Sequence, residues 1–548
     1  MTDILKPAGT LLFGRAMLAQ LAHEMDLLGV RNPVMITDKK HLKRARKAAS
    51  MLASELSGGL KLTVASPSPD ADFLILAGGK KVADEYAAEP RLRARIILGE
   101  AELGDFIEPE TELTVLDSVF VRDGEAIRLF MKKFASSITS GLAGCPGRLS
   151  IPKAFSYSCG TTMFAGDDAL SELPRLLAES GSLRPLVLTD KGIIAVGLFK
   201  TLSLALDGVD FEVFDNIPPD SDSRVVNEIS RIYTEGNRDS IIAMGGGSVL
   251  DTGKGVFLNV SLGVDDLTTL AGSNRIPKLK TPFIAIPTTS GTGSEVTKVA
   301  VISDTERHRK ILYVSSHLQP AFSILDSRLT ASLPPHLTSI TGMDALSHAV
   351  EAYTCLGKNP VSDQMAWTAI TLIRDNLIPV ISDPGNLKLR LNLALASNMA
   401  GQAFSNSMVG MVHTIGHSVG AVCHAPHGSC MSVFLPFALE YNYPEIQPLL
   451  AELLTAFVGE KQAASVPKKD RANEMIDCIR RMNRELKQLT GGRHPESLRD
   501  ILGRDGEPLI RESHFLTIAE KSLGDASIIY NPVELRIPDI LKVLADSY

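Results

Sequence analysis

The stretch from Gly342 to Gly428 constrains this chain more than any other. It opens with Gly342-Met343-Asp344-Ala345-Leu346-Ser347-His348 and ends with His413-Thr414-Ile415-Gly416-His417 and His424-Ala425-Pro426-His427-Gly428. Asp344 and His348 are four residues apart, and so are His413 and His417. In a helix that spacing puts each pair on one face, one turn apart. His427 follows Pro426, so a turn or a helix start is expected there. A lone Asp/His pair at this spacing is commonly a surface pair or a satisfied core pair. Here five of the chain's 12 histidines fall between His348 and His427, among Gly, Ala, Val and Met rather than Lys and Glu. One carboxylate and several imidazoles on apolar helices are a donor set for a first-row divalent metal.

The chain's 548 residues suffice for two or three domains. Hydrophobic residues at 44% and charged residues at 22% are ordinary for a globular protein. A net charge of -7 and no long basic run argue against a nucleic-acid partner. The short basic cluster Lys39 to Lys47 reads as a solvated helix face. The six cysteines (Cys145, Cys159, Cys355, Cys423, Cys430 and Cys478) form no CxxC pair and read as reduced thiols of a cytoplasmic protein. Neither a signal peptide nor a membrane span is expected, because no basic segment precedes an apolar run and no apolar run is long enough.

The first third echoes the next. Residues 13–39 read as an amphipathic helix and then a buried strand ending in Thr37-Asp38-Lys39, and residues 164–191 repeat this pattern and end in Thr189-Asp190-Lys191. Further on, Asp72 to Gly79 with Asp84 parallels Asp239 to Ser248 with Asp251. The expectation is a degenerate α/β copy over residues 1–140, with Ser136 to Ser150 as linker. Lys80 and Lys81 stand where the second copy has Gly247 and Ser248. A lysine there would crowd a backbone meant to approach phosphate, so the first copy reads as structural or as part of an interface.

Residues 150–334 alternate short β-branched runs with amphipathic helices, which predicts a mostly parallel sheet covered by helices. Gly245-Gly246-Gly247-Ser248 follows a strand and opens a helix whose free N–H groups can receive an anion. It matches neither GxGxxG nor the Walker loop, and alone it reads equally well as a tight turn. Phe283 to Ile286 then runs into Pro287-Thr288-Thr289-Ser290-Gly291-Thr292-Gly293-Ser294-Glu295, whose hydroxyls can wrap a ribose or phosphate. Both loops are placed at the carboxyl ends of strands, where open α/β sheets bind ligands. From about Pro335 strand signals nearly vanish. Helical periods are predicted over 343–356, 360–383, 387–406, 410–422, 429–441, 445–457, 470–489 and 515–523, with an exposed loop at 462–472. The fold class is therefore α/β plus all-α: a parallel-sheet dinucleotide-binding domain, then an all-helical metal-binding domain over 335–548, preceded by the degenerate repeat.

Taken in order, GGGSVLDTGK, PTTSGTGSEVT, GMDALSHAVEAY and HTIGHSVGAVCHAPHG closely resemble the iron-containing (group III) alcohol dehydrogenase family. The resemblance covers roughly residues 150–548. It implies metal ligation by Asp344, His348, His413 and His427, with His417 near nicotinamide and substrate as a proton relay. It further implies phosphate binding at Gly245, Gly246, Gly247 and Ser248, and a catalytic Asp251 facing the cleft. Thr288, Thr289, Thr292 and Lys310 would contact the cofactor, and Asp190 the adenosine ribose. A carboxylate at that place accepts from a 2′-hydroxyl and repels a 2′-phosphate, which favours NAD(H) over NADP(H). Fe(II) is the implied metal, and the donor set also suits Zn(II), Co(II) or Mn(II). The substrate would be a small alcohol or aldehyde. A homo-oligomer is expected, although the additional N-terminal unit departs from the family and could cover or create an interface. Phe404, Met408 and Cys423 are candidates to line the substrate cleft. Hydroxyacid–oxoacid transhydrogenation or polyol oxidation on the same fold, and a non-catalytic scaffold, are the rival readings.

Overall fold

The computed structural model describes residues 155–219, 222–264, 266–273, 275–304 and 309–548, together with the backbone of five strands nearer the N-terminus. The chain divides into two compact units, Met1–Tyr157 and Ser158–Tyr548. In the first, β1 (Pro33–Thr37), β2 (Lys61–Val64), β3 (Phe73–Ala77), β4 (Arg95–Leu98) and β5 (Val115–Leu116) form one sheet in the order β2-β1-β3-β4-β5. Its first four strands are parallel, and β5 runs antiparallel to β4. The helix expected before β1, Lys80, Lys81, Asp84 and the linker lie outside the described residues.

The second unit opens with β6 (Thr162–Gly166), α1 (Leu173–Glu179), β7 (Pro185–Leu188), α2 (Lys191–Ala195), α3 (Leu198–Ala205), β8 (Glu212–Phe214) and α4 (Ser223–Glu235). It continues through β9 (Ser240–Gly245), α5 (Gly247–Leu262), β10 (Gly272–Ser273), β11 (Phe283–Pro287), β12 (Val299–Asp304), β13 (Arg309–Val314) and β14 (Phe322–Asp326). Six of these strands make a wholly parallel sheet, ordered β6-β14-β11-β9-β7-β8. Strands β7, β9 and β11 are buried along their whole length. This is why they read as unbroken apolar runs. Alternate side chains feed two cores. Leu186, Leu188, Ile241, Ala243 and Phe283 pack with Val226 of α4 and Val256 of α5. Val187, Ile242, Met244, Ile284 and Ile286 pack with Leu173 and Leu176 of α1 and Leu202 of α3. The chain goes from β7 to the edge strand β8 and then back to β9 on the other side of β7. The order therefore reverses between β7 and β9, and a crevice opens at their carboxyl ends. Among the described residues there is also a small sheet, β10-β13-β12, that the sequence pattern did not signal.

The helical part comprises α6 (Pro335–Thr354), α7 (Pro360–Ser382), α8 (Leu387–Ser407), α9 (Met411–Cys423) and α10 (His427–Val458). It ends with α11 (Glu460–Ser465), α12 (Arg471–Leu489), α13 (Phe515–Ser522) and α14 (Ile537–Asp546). Helix α6 is buried on every side from Gly342 to Thr354, so it is the axis around which the others pack. Two predicted segments, 429–441 and 445–457, are in fact the single helix α10, which runs through Pro436, Pro444 and Pro448. Pro444 and Pro448 are exposed, so water can serve the carbonyls that lose a partner there. The loop expected at 462–472 is helical at its start, as α11. No helix among the described residues is long and apolar enough to cross a membrane.

Arg390 of α8 ties the two parts together. Its guanidinium donates to the carbonyls of Pro384 (2.8 Å) and Leu333 (3.0 Å) and to the Thr338 hydroxyl (2.8 Å), so the link into α6 is held from inside. His494 is fully buried between the Ser339 hydroxyl (3.0 Å) and the Asn483 amide oxygen (3.1 Å). Burial pushes its pKa down to about 4 from an ordinary 6.5. The unfolded chain therefore binds a proton that the folded chain refuses between those values, and stability falls as pH falls through that window. In metal-loaded protein, His494→Gln should flatten the pH dependence of unfolding free energy between pH 4 and 6.5 by up to about 3 kcal/mol. An unchanged slope by urea titration would rule His494 out as its source.

Candidate metal centre and cofactor cleft

Asp344 and His348 lie one turn apart on α6, and His413 and His417 one turn apart on α9. His427 is the first residue of α10, after Pro426. Asp344, His348 and His413 are all buried, and their donor atoms lie within 4.8 Å of one another. Asp344 Oδ1 is 3.7 Å from His348 Nδ1, 3.8 Å from His413 Nε2 and 3.3 Å from His427 Nε2. His427 keeps 38% of its side chain exposed, so the centre has one open side. A close approach makes this possible: a Cβ on Gly428 would stand 2.5 Å from the Ile340 carbonyl oxygen, so only glycine lets α10 begin against α6.

Asp344 Oδ1, His348 Nδ1 and His413 Nε2 are buried and have no hydrogen-bond partner among the described residues. Buried polar atoms are ordinarily satisfied. Three of them aimed together, one from a carboxylate, fit a divalent cation. Burial raises the Asp344 carboxyl, but the imidazoles of His348, His427 and His413 outweigh it and hold the group well below the usual carboxylate range. Burial pushes His348 down to about 3 and His413 well below its ordinary value, so both present neutral lone pairs. The Phe404 ring stacks on His348 at 4.2 Å and walls that side.

Around the donors lie groups that sequence reasoning missed. His413 Nδ1 is 2.5 Å from Glu351 Oε2, and His417 Nδ1 is 2.9 Å from Asp525 Oδ2. Glu351 was within reach of the pattern, because it stands three residues after His348 on the same helix. Asp525 lies 108 residues beyond His417, and no spacing pattern spans that interval. Burial pushes Glu351 up to about 7.

At the sheet, β9 ends at Gly245 and α5 starts at Gly247, with no side-chain cap on its first turn. The Thr288 N–H donates to the Gly245 carbonyl at 3.0 Å, which sets the Thr-rich loop beside the Gly-rich turn. Thr288 is buried, while Thr289 and Thr292 are partly exposed beside Gly246 and Gly247. Asp190 caps α2 by accepting from Ile193 N–H at 3.0 Å, at the end of β7 across the crevice. Lys310 lies in β13 opposite Ser303, and its side chain lies outside the described residues.

Asp251 is half-buried, and its two oxygens accept from the Ser294 hydroxyl (2.7 Å) and the Val301 N–H (2.9 Å), so it holds the Thr-rich loop. Lys254, fully buried, holds the next segment through the Thr297 carbonyl (3.0 Å), the Thr297 hydroxyl (2.8 Å) and the Val299 carbonyl (2.6 Å). The loop then meets α8: Glu295 accepts from Asn398 at 3.0 Å, and Gly293, at φ +61°, lies so close to Gly401 that a Cβ would be 2.6 Å from its Cα. Phe404, three residues further along the same helix, faces His348. One helix thus connects the Thr-rich loop with the candidate metal centre. Cys423 is buried, with its thiol 3.3 Å from His514 Nδ1.

With this geometry in view, comparison with known proteins is direct. Residues 160–327 match the family model for iron-containing alcohol dehydrogenase, and residues 338–548 match that of the family's C-terminal domain. A 1,3-propanediol dehydrogenase of Citrobacter freundii is 34% identical over 400 residues, covering 72% of this chain and 99% of that protein. Alcohol dehydrogenase 4 of Saccharomyces cerevisiae is 30% identical over 389 residues, covering 70% of this chain and 96% of that one. Among solved structures, a 1,3-propanediol oxidoreductase superposes with a TM-score of 0.67 at 32% identity, covering 72% of this chain and 100% of that one. The chain belongs to the iron-containing alcohol dehydrogenase family, a class of metal-dependent, nicotinamide-linked oxidoreductases acting on CH–OH groups. Both family matches begin beyond residue 159, so neither includes the first unit.

Asp344 carries the only carboxylate among the four donors, so Asp344→Asn should lose more than an outer-partner change. A fall in metal affinity of at least about a hundredfold is expected by chelator competition. Unchanged affinity would disprove the site.

Proposed function

We propose that the chain interconverts a small alcohol and its aldehyde with NAD(H), using one Fe(II) held by Asp344, His348, His413 and His427. The carrying observation is the convergence of three buried, unpartnered donor atoms at one point. The family match supports iron over zinc among metals this donor set would accept. When bound, such a dication supplies Lewis acidity toward an alcohol or carbonyl oxygen.

The protein side of the reaction follows from the residues. Phe404 closes one flank of the centre and keeps water from it. His417 gives its Nδ1 to Asp525, which leaves Nε2 to take a proton from the alcohol during oxidation and return it during reduction. Gly245 to Ser248 receive the pyrophosphate on the uncapped start of α5. Thr288, Thr289, Thr292 and Lys310 complete the cofactor contacts, and Asp190 accepts from the ribose 2′-hydroxyl with the oxygen that does not cap α2. A sulfoacetaldehyde reductase from Bifidobacterium kashiwanohense, solved with NAD+ bound, is a structural neighbour at 26% identity and a TM-score of 0.62, and supports NAD(H) here. Relatives are named for 1,3-propanediol, methanol and choline, so the alcohol is left to experiment. The first unit reads as a copied half. Its strand order β2-β1-β3-β4 parallels β8-β7-β9-β11 strand for strand, in support of duplication.

The test is NADH oxidation against an aldehyde panel, before and after Fe(II) reconstitution. Metal-restored, aldehyde-dependent NADH loss is expected, with kcat/KM for NADPH at least tenfold lower, roughly the discrimination one unfavourable charge contact supplies. Equal or better use of NADPH would sink the role given to Asp190. Turnover between a hydroxyacid and an oxoacid without free NAD would replace the dehydrogenase by a transhydrogenase. His417→Ala should lower kcat about a hundredfold or more with metal content unchanged, and an unaltered kcat would remove His417 from the proton path.

A further inference from the structure

We infer that Glu351 is the positioning residue for the metal centre: it sets the tautomer of His413 and so presents Nε2 of that imidazole to the metal. This rests on the metal-site reading above and deepens it. Asp344, His348 and Glu351 fall at i, i+4 and i+7 of α6, so one helix face carries two donors and, a turn further on, a second carboxylate. Glu351 is buried, with 4% of its surface exposed. Its Oε2 faces His413 Nδ1 at 2.5 Å, and its Oε1 accepts the Val412 N–H at 2.8 Å.

Two physical arguments converge on it. A neutral imidazole carries one proton, and His413 can offer Nε2 to a metal only if that proton sits on Nδ1. A carboxylate beside Nδ1 accepts that proton's hydrogen bond and so selects the tautomer. Geometry gives the second argument. The two oxygens of Glu351 bridge the His413 ring and the backbone N–H one residue before it, so the ring's orientation is fixed together with its tautomer. Glu351 also fills a vacancy in α9, whose N-cap is Gly410 and has no side chain to offer. Asn531 takes the neighbouring Met411 N–H at 3.0 Å and is itself locked to Asn442 by paired amide bonds of 2.9 and 2.7 Å. The start of the helix that carries His413 and His417 is thus held by two buried side chains.

The rival is that Glu351 only caps α9. Glu351→Gln separates the two roles: its amide oxygen can still accept from Val412, but the amide N–H groups turn toward Nδ1, favouring the wrong tautomer. Purified full-length protein, stripped and titrated with Co(II) and Zn(II) against a chelator, would be read for affinity and for the Co(II) visible spectrum. The expected result is a 10–100-fold loss of affinity and an altered Co(II) spectrum in Glu351→Gln, with thermal unfolding of the apoprotein close to wild type. Glu351→Ala should lose both affinity and thermal stability. If Glu351→Gln binds both metals within twofold of wild type, with the same spectrum, Glu351 is a cap and the inference is wrong. If wild type itself binds neither metal, the site reading fails instead, which separates the two.

Discussion

The structure turns on a buried carboxylate. Asp344 sits among three imidazoles with a buried oxygen that makes no hydrogen bond among the described residues. A cation among the donors would satisfy such an oxygen in a low-dielectric interior. The rest of the helical part follows from the need to build it. Helix α6 is covered on all sides because it carries two of the donors into the core. Gly428 is small because α10 must start against the α6 backbone to bring His427 within reach.

Both histidines of α9 are held from behind by a carboxylate, but by different parts of the chain. Glu351 comes from α6, and Asp525 from the segment after α13. Each bond leaves Nε2 as the working nitrogen. On the function proposed above, the same kind of interaction serves two tasks one helical turn apart: holding a metal and carrying a proton.

The α/β part spends its charged groups differently. Asp251 and Lys254 stand on the helix that follows the Gly-rich turn, and their heads bind Ser294, Val301, Thr297 and Val299. They fix the loop that reaches across to α8 through Glu295 and Asn398. The Thr-rich loop is thereby coupled to the helix whose Phe404 stacks on His348, a candidate metal donor. A shift of either side would be felt by the other, because glycine packs directly on glycine at Gly293 and Gly401.

From the sequence by itself came whatever is encoded by local period and short spacing: the parallel strands as unbroken apolar runs, the switch to helices near Pro335, the two loops at strand ends, and the candidate cluster of Asp344, His348 and His413, signalled by i, i+4 pairs. Local readings failed where long-range contact decides. Three prolines did not break α10, because its packing and its wet outer face compensate for the missing bonds. Asp251 took a backbone partner from β12, fifty residues away. Only the tertiary structure paired His413 with Glu351 across 62 residues and His417 with Asp525 across 108. Such partners are chosen by where helices cross, and helix crossings leave no periodic mark in a chain.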